Sequence, residues 1–172
     1  MAKKPPKEMS FTGLHMLAGL EGFVPAPYKD VAGVHTVYFG HTAAAGLPDP
    51  SKMSPGMPDD WRDKLDVGFA LLDDDLDMFE ARLHNALPDL EPHEFDGWLM
   101  WYYNTGGLHQ TSAVAKWKRG DKAGAVATLQ LWNKVTKNGM KVVNQHLVER
   151  RGYEADVILK GQYRNPPIPE WG

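Results

Sequence analysis

The sequence predicts an α+β protein with a small β-bearing lobe and a larger helical lobe joined by a long helix. Three observations predict it. β-formers cluster once, in 26–39, where Tyr28, Val31, Val34, Thr36, Val37, Tyr38 and Phe39 flank an Ala32-Gly33 turn. A long apolar ladder follows: Trp61, Leu65, Phe69, Leu72, Leu76, Phe79, Leu83 and Leu87 recur every three or four residues, which makes one face of a helix of about seven turns. Everything after it reads as helix. Strands first and helices segregated behind them is the α+β pattern rather than the alternating α/β one.

The elements follow in order. Residues 1–10, with Lys3, Lys4, Lys7, Pro5 and Pro6, read as a disordered basic tail. Phe11, Leu14, Leu17 and Leu20 predict a helix over 11–22, which Gly22 and Pro25 stop. The hairpin belongs to a small lobe, 23–60, whose second half (47–60) is a Pro-, Ser- and Asp-rich loop. The linking helix is 61–87. Pro92 suits the start of the next helix, and 95–103 is apolar almost all round, as expected of a central buried helix ended by Asn104-Thr105-Gly106-Gly107. Shorter helices are predicted at 112–118, 121–132 and 144–160, with Gly120-Asp121, Asn138-Gly139 and Gly161 as boundaries. The helical lobe is then 11–22 plus 90–163, the whole of 11–163 is one domain, and 164–172 is a Pro-rich extended tail. A cleft between lobes is the default place for a site.

Composition narrows the chemistry. A chain of 172 residues, 42% hydrophobic and 24% charged, is an ordinary globular domain. It has no cysteine, which excludes disulfides, thiol nucleophiles, redox motifs and thiolate zinc sites. A net charge of −3 demands no nucleic-acid partner. The seven histidines form no HExxH and no compelling ligand pair, so no metal site is expected. No GxSxG, P-loop or dinucleotide fingerprint is present. The run Asp73-Asp74-Asp75 with Asp77 reads as a solvated helix face. Gly, Thr, His and Glu interrupt 11–23 too often for a signal peptide, and no stretch reaches the roughly 18 apolar residues of a membrane span, so no export signal and no stable membrane insertion are expected.

Two carboxylates and a hydroxyl remain to carry chemistry. Glu21 ends the first helix, where the dipole disfavours negative charge and Phe23 and Val24 follow to desolvate it; that suits a proton donor. Asp30 precedes the hairpin turn beside Lys29, and Thr36 follows the turn, so the fold-back brings 30 and 36 toward each other and lets them hold a water. A donor on one side and a carboxylate on the other is what cleavage of a glycosidic bond needs. Taken alone, the same residues also describe a surface helix end and a polar turn.

The surrounding residues decide between these. Glu21-Gly22, Tyr28-x-Asp30, Gly33-x-x-Thr36 and Gly40-His41-Thr42 resemble, in spacing and order, landmarks of the phage-type lysozymes, the endolysin glycosidases of glycoside hydrolase family 24. Phe95-Asp96, Asn104-x-Gly106, Thr111-Ser112, Trp132-Asn133-Lys134 and Leu147-x-x-Arg150-Arg151-x-x-Glu154 extend the resemblance over nearly all of 11–160. The chain departs from the pattern at Tyr38, which replaces a glycine, at His146, which replaces another, and in the 47–60 loop, which has no family counterpart.

The resemblance implies a lysozyme-like fold. Glu21 becomes the proton donor, and Asp30 and Thr36 position the attacking water, with inversion at the anomeric carbon. The substrate becomes bacterial peptidoglycan, cut at the β-1,4 bond between N-acetylmuramic acid and N-acetylglucosamine, with neither metal nor cofactor required. Tyr38, His41, Asn104 and Thr105 are candidate sugar-binding residues; core packing or a turn hydrogen bond is the other reading of the first two, and a helix C-cap of the last two. Arg150 and Arg151 are expected to form structural ion pairs with acids of the N-terminal lobe, Glu21 among them. Lys116, Lys118, Arg119 and Lys122 form a basic patch, either solvated or facing anionic wall polymers. The enzyme is expected to be a monomer made in the host bacterial cytoplasm, dependent on a holin-type pore to reach peptidoglycan in the periplasm. Three rivals stay open: a lytic transglycosylase on the same fold, a zinc amidase cutting the peptide stem, and a non-catalytic wall-binding module.

Overall fold

The computed structural model describes residues 7–30 and 32–164. They form six α-helices and five strands, and group into two units, 14–77 and 7–13 with 78–164.

The 14–77 unit holds most of α1 (Phe11–Glu21), a three-stranded antiparallel sheet and the first half of α2 (Lys64–Ala86). The sheet runs β1 (Val24–Lys29), β2 (His35–Tyr38), β3 (His41–Thr42) in that order. Lys29 pairs with His35 and Tyr28 with Thr36, so the expected hairpin forms; the two-residue β3 is an addition. The core is aromatic: Phe23 and Phe39 are both 1% exposed, with ring centroids 5.1 Å apart, and Phe69 of α2 lies 5.0 Å from Phe39 and 4.8 Å from His15. Gly68 explains how α2 comes so close. A Cβ there would stand 2.9 Å from the Phe23 ring and 3.2 Å from that of Phe39. The 47–60 loop contains one 3-10 turn, Pro50–Lys52, capped by the Asp49 side chain.

The other unit is built on α3 (Pro92–Thr105), whose Phe95, Trp98, Leu99, Met100 and Trp101 are all at most 1% exposed. Its start is a capping box, with the Glu91 amide donating to Glu94 at 2.8 Å and Pro92 in the first turn; its end is Gly106 at φ 63°. Around it lie α4 (Ala113–Lys118), α5 (Lys122–Gln130) and α6 (Gln145–Lys160). Trp101 donates its indole N–H to the Leu129 carbonyl, and Trp98 and Trp132 meet Trp101 edge-on. α6 approaches α3 at Gly97, where a Cβ would meet Ile158 Cγ1 at 2.5 Å.

Three expectations need correction. The 121–132 helix ends at Gln130, and residues after it form a second hairpin, β4 (Lys134–Lys137) with β5 (Met140–Val143). Asn138 and Gly139, expected as a helix boundary, are its turn, with φ of 51° and 76°, the pair of positive angles a type I′ turn requires. The basic tail is described from residue 7, and its last residues are held: the Met9 amide donates to Glu80 at 2.7 Å, and Asp96 accepts from the Ser10 amide at 3.0 Å and its hydroxyl at 2.5 Å. From the other end of the chain Tyr163 donates its hydroxyl to the same carboxylate at 2.6 Å. The Pro-rich tail, beyond residue 164, lies outside the described residues.

Candidate active site

Glu21, Asp30, Thr36, Tyr38 and His41 all belong to the 14–77 unit, and Asn104 and Thr105 to the other. α1 delivers Glu21 at its last residue; the chain then turns through Gly22 at φ 76°, a left-handed conformation that glycine adopts without strain.

Asp30 organises the turn between β1 and β2. Its Oδ1 accepts from the Ala32 amide at 2.8 Å and the Val34 amide at 2.9 Å, and its own amide donates to the Val34 carbonyl. These bonds fix the carboxylate and leave Oδ2 to accept from elsewhere. Thr36 is 3% exposed, and its hydroxyl donates to the Val34 carbonyl at 3.1 Å, so its remaining capacity is as an acceptor. Tyr28 ties the set together. Register places it directly opposite Thr36, on the same face of the ladder. Burial, then Asp30, then Glu21 hold its phenol above the ordinary tyrosine value. One hydroxyl therefore feels both carboxylates. Sequence reasoning took Tyr28 only as a β-former and a motif landmark; the signal available was its period-two spacing from Asp30.

Tyr38 sits where the family pattern has glycine, and it keeps a glycine-like backbone with φ 55°. Its ring is 5% exposed and stacks on Phe23 at 5.9 Å, with one edge lining a pocket beside Pro25, Pro27 and Met53. His41 is 2% exposed, and both ring nitrogens have protein partners: Nδ1 lies 3.0 Å from each Asp75 carboxylate oxygen and Nε2 lies 3.0 Å from the Pro48 carbonyl. His41 thus ties β3 and the 47–60 loop to α2, with no ring nitrogen left for a sugar. Asp75 is corrected with it. Its side chain is 7% exposed rather than solvated, and burial raises its carboxyl value against the opposing pull of His41.

Asn104 is exposed at the end of α3, its Oδ1 accepting from Arg151 Nη2. That leaves the Asn104 amide N–H groups as donors. Thr105 donates its hydroxyl to the Trp101 carbonyl at 2.8 Å and accepts from the Gly107 amide at 3.2 Å, a helix-end arrangement. Arg150 and Arg151 pair with Glu154 at 3.0 and 2.9 Å. The basic patch is partly consumed: Lys116 donates to Thr128, and Lys122 pairs with Glu94 above the Trp117 ring. Among the described residues no three His, Asp or Glu side chains are grouped to hold a metal ion.

The phage lysozyme family model matches residues 18–154. A SAR-endolysin of Pseudomonas phage phiKMV is 32% identical over 146 residues, covering 84% of both chains. A SAR-endolysin of Bacteriophage PS119 is 32% identical over 147 residues, covering 84% of this chain and 79% of that one. Among solved structures, an endolysin from Escherichia coli O157:H7 phage FAHEc1 superposes with a TM-score of 0.80 at 27% identity, over 94% of this chain and 99% of that one. The chain belongs to the phage lysozyme family.

Proposed function

We propose that this peptidoglycan-degrading glycosidase cleaves the β-1,4 bond between N-acetylmuramic acid and N-acetylglucosamine with inversion, as a member of glycoside hydrolase family 24. Glu21 gives its proton to the leaving glycosidic oxygen. A water held by Asp30 and Thr36 attacks the anomeric carbon from the opposite face and passes a proton to Asp30. The observation that supports the reading is Tyr28: it pairs with Thr36 across the hairpin, and its phenol feels both Asp30 and Glu21. The Asp30 carboxylate is locked by its turn with Oδ2 spare, and the Thr36 hydroxyl has spent its proton. Both oxygens are then acceptors for the water's hydrogens, which leaves a lone pair on the water oxygen for attack.

Glu21→Gln, assayed for muropeptide release from purified peptidoglycan with folding followed by circular dichroism, is expected to lose at least about 10²-fold in turnover while remaining folded. Retained activity in that variant refutes the acid assignment. NMR of the first-formed product is expected to show the α-anomer. The β-anomer refutes inversion, an anhydro-sugar indicates the transglycosylase, and new free amines indicate the amidase.

We also infer a monomer made in the host cytoplasm that depends on a separate holin-type pore. No helix among the described residues is long and apolar enough to cross a membrane. Co-expression with a pore protein is expected to be needed for lysis; lysis on expression of this chain alone refutes the dependence.

A further inference from the structure

The turn of the second hairpin holds a reactive pair that the catalytic set does not use. The backbone nitrogen that follows an asparagine can attack the asparagine Cγ, because the two atoms close a five-membered ring. Glycine hinders this attack least, since it has no Cβ beside the nitrogen. Asn138 and Gly139 are such a pair, and both are exposed. A Cβ placed on Gly139 would meet nothing within 4 Å, so the space around the nitrogen is open. Register pairs Lys137 with Met140, which leaves the Gly139 amide outside the ladder. Among the described residues that amide has no acceptor, and no group engages the Asn138 side chain.

The other asparagines lack these conditions. Asn85 and Asn104 lie in α2 and α3, where the next amide is committed to the helix. Asn133 donates its side-chain amide to the Gln130 carbonyl at 2.9 Å, and Asn144 accepts from the Leu147 amide at 3.2 Å as the cap of α6. Asn165 precedes Pro166, whose nitrogen carries no hydrogen to lose. The turn also sets the pace at Asn138. A type I′ turn has ψ of about +30° at its first central residue, the mirror of type I. That angle keeps the Gly139 nitrogen turned away from Cγ, so the ring closes only after the turn opens. Opening costs little, because all of β4 and three of the four residues of β5 are exposed.

We propose that Asn138 is a site of spontaneous deamidation, gated by opening of the hairpin turn. The Gly139 nitrogen gives its proton to hydroxide and bonds to the Asn138 Cγ. The bond from Cγ to the side-chain nitrogen breaks, and that nitrogen takes up a proton and leaves as ammonia. The resulting succinimide adds one water. Breaking its Cγ–N bond gives aspartate; breaking the bond from the Asn138 backbone carbonyl carbon to the same nitrogen gives isoaspartate. Water is the co-reactant, and nothing is oxidised or reduced. Either product places a new negative charge next to Lys137. Isoaspartate also lengthens the main chain by one carbon, which a two-residue turn does not accommodate in the Lys137–Met140 register. The hairpin is then the part of the enzyme that ages first, through its charge and its strand pairing together.

The test stores the full-length protein at neutral and at mildly alkaline pH, folded and unfolded in urea, and maps its peptides by mass spectrometry with isoaspartate resolved from aspartate. In the folded protein the mass gain of an NH2 exchanged for OH is expected at Asn138 ahead of every other asparagine, and faster at the higher pH. Because the turn must open first, conversion at Asn138 is expected to run roughly tenfold slower folded than in urea. Asn138→Gln, whose longer side chain would need a six-membered ring, is expected to lose the early conversion and leave the rest of the map unchanged. A folded protein that stays unconverted at Asn138 while the unfolded chain converts overturns the site, and so does the absence of conversion in both states. Conversion at Asn85, Asn104, Asn133 or Asn144 as fast as at Asn138 overturns it too. Equal rates at Asn138 in the folded and unfolded chain overturn the gating by the turn.

Discussion

Gly97→Ala measures how closely α6 is packed on α3. An alanine Cβ at 97 would stand 2.5 Å from Ile158 Cγ1 and 3.0 Å from both the Glu154 carbonyl oxygen and the Ile158 amide nitrogen. Ile158 is 1% exposed, and two of the three atoms met are helix backbone, so no flexible side-chain end can swing aside. Overpacking of this kind costs about 1–3 kcal/mol. Alanine returns about 1 kcal/mol of helix propensity. With two backbone atoms met, the contact lies in the upper part of that range, about 2–3 kcal/mol, so it wins and the expected net loss is about 1–2 kcal/mol. For a chain of this size that lowers Tm by about 3–6 °C. Glu154 adds to the cost, because it carries the pairs to Arg150 and Arg151 and moves with the same backbone. Gly152 on α6 is the matched control. A Cβ there meets nothing within 4 Å, so Gly152→Ala is expected to stabilise by about 0.5–1 kcal/mol through propensity alone. Urea and thermal unfolding of the two variants decide the matter: a Gly97→Ala protein as stable as the wild type, or less harmed than Gly152→Ala, refutes the close-packing argument.

Two further predictions concern the buried carboxylate of Asp96. Asp96→Ala removes the acceptor for the Ser10 amide, the Ser10 hydroxyl and the Tyr163 hydroxyl; urea unfolding is expected to show a loss of about 3 kcal/mol, and a loss below about 0.5 kcal/mol would sink the view that these bonds hold residues 9–10 in place. Burial first, and then Asp96, push the Tyr163 phenol well above the ordinary tyrosine value. The folded protein therefore keeps a proton that the unfolded chain gives up above about pH 10, so stability is expected to fall as pH rises past that point, and less steeply in Tyr163→Phe. Equal slopes for the two proteins would show that Tyr163 does not contribute.

The elements legible in the sequence were those whose burial follows a local period. The α2 ladder and the buried α3 segment each write their environment every three or four residues, and the Ala32-Gly33 turn flanked by β-formers does the same for the first hairpin. β4 and β5 wrote nothing comparable, because Lys134 to Lys137 and Met140 to Val143 have no buried face. Their one signal, Asn138-Gly139, was read as a helix boundary, although Asn-Gly is the strongest short-range hairpin mark. The site divides the same way. Asp30 and Thr36 are six residues apart across one turn, so their proximity follows from the turn alone. The pairing of His41 with Asp75 spans 34 residues and carries no local trace, which is why Asp75 read as one more solvated member of an acidic run. Lys116 and Lys122 read as a free patch for the same reason: Thr128 and Glu94, which engage them, are brought in by tertiary packing. Tyr28 needed the strand register and both carboxylates before its position meant anything.

The clasp at Asp96 has a topological consequence. Ser10 and Tyr163 place their hydroxyls on the same carboxylate oxygen, at 2.5 and 2.6 Å. The path from residue 10 to residue 163 is therefore almost a closed ring, fastened at one buried carboxylate. Such a ring tolerates being joined there and opened elsewhere. A short peptide bridging the two positions, with a new break in the exposed 47–60 loop, would give a circular permutant that keeps every helix intact.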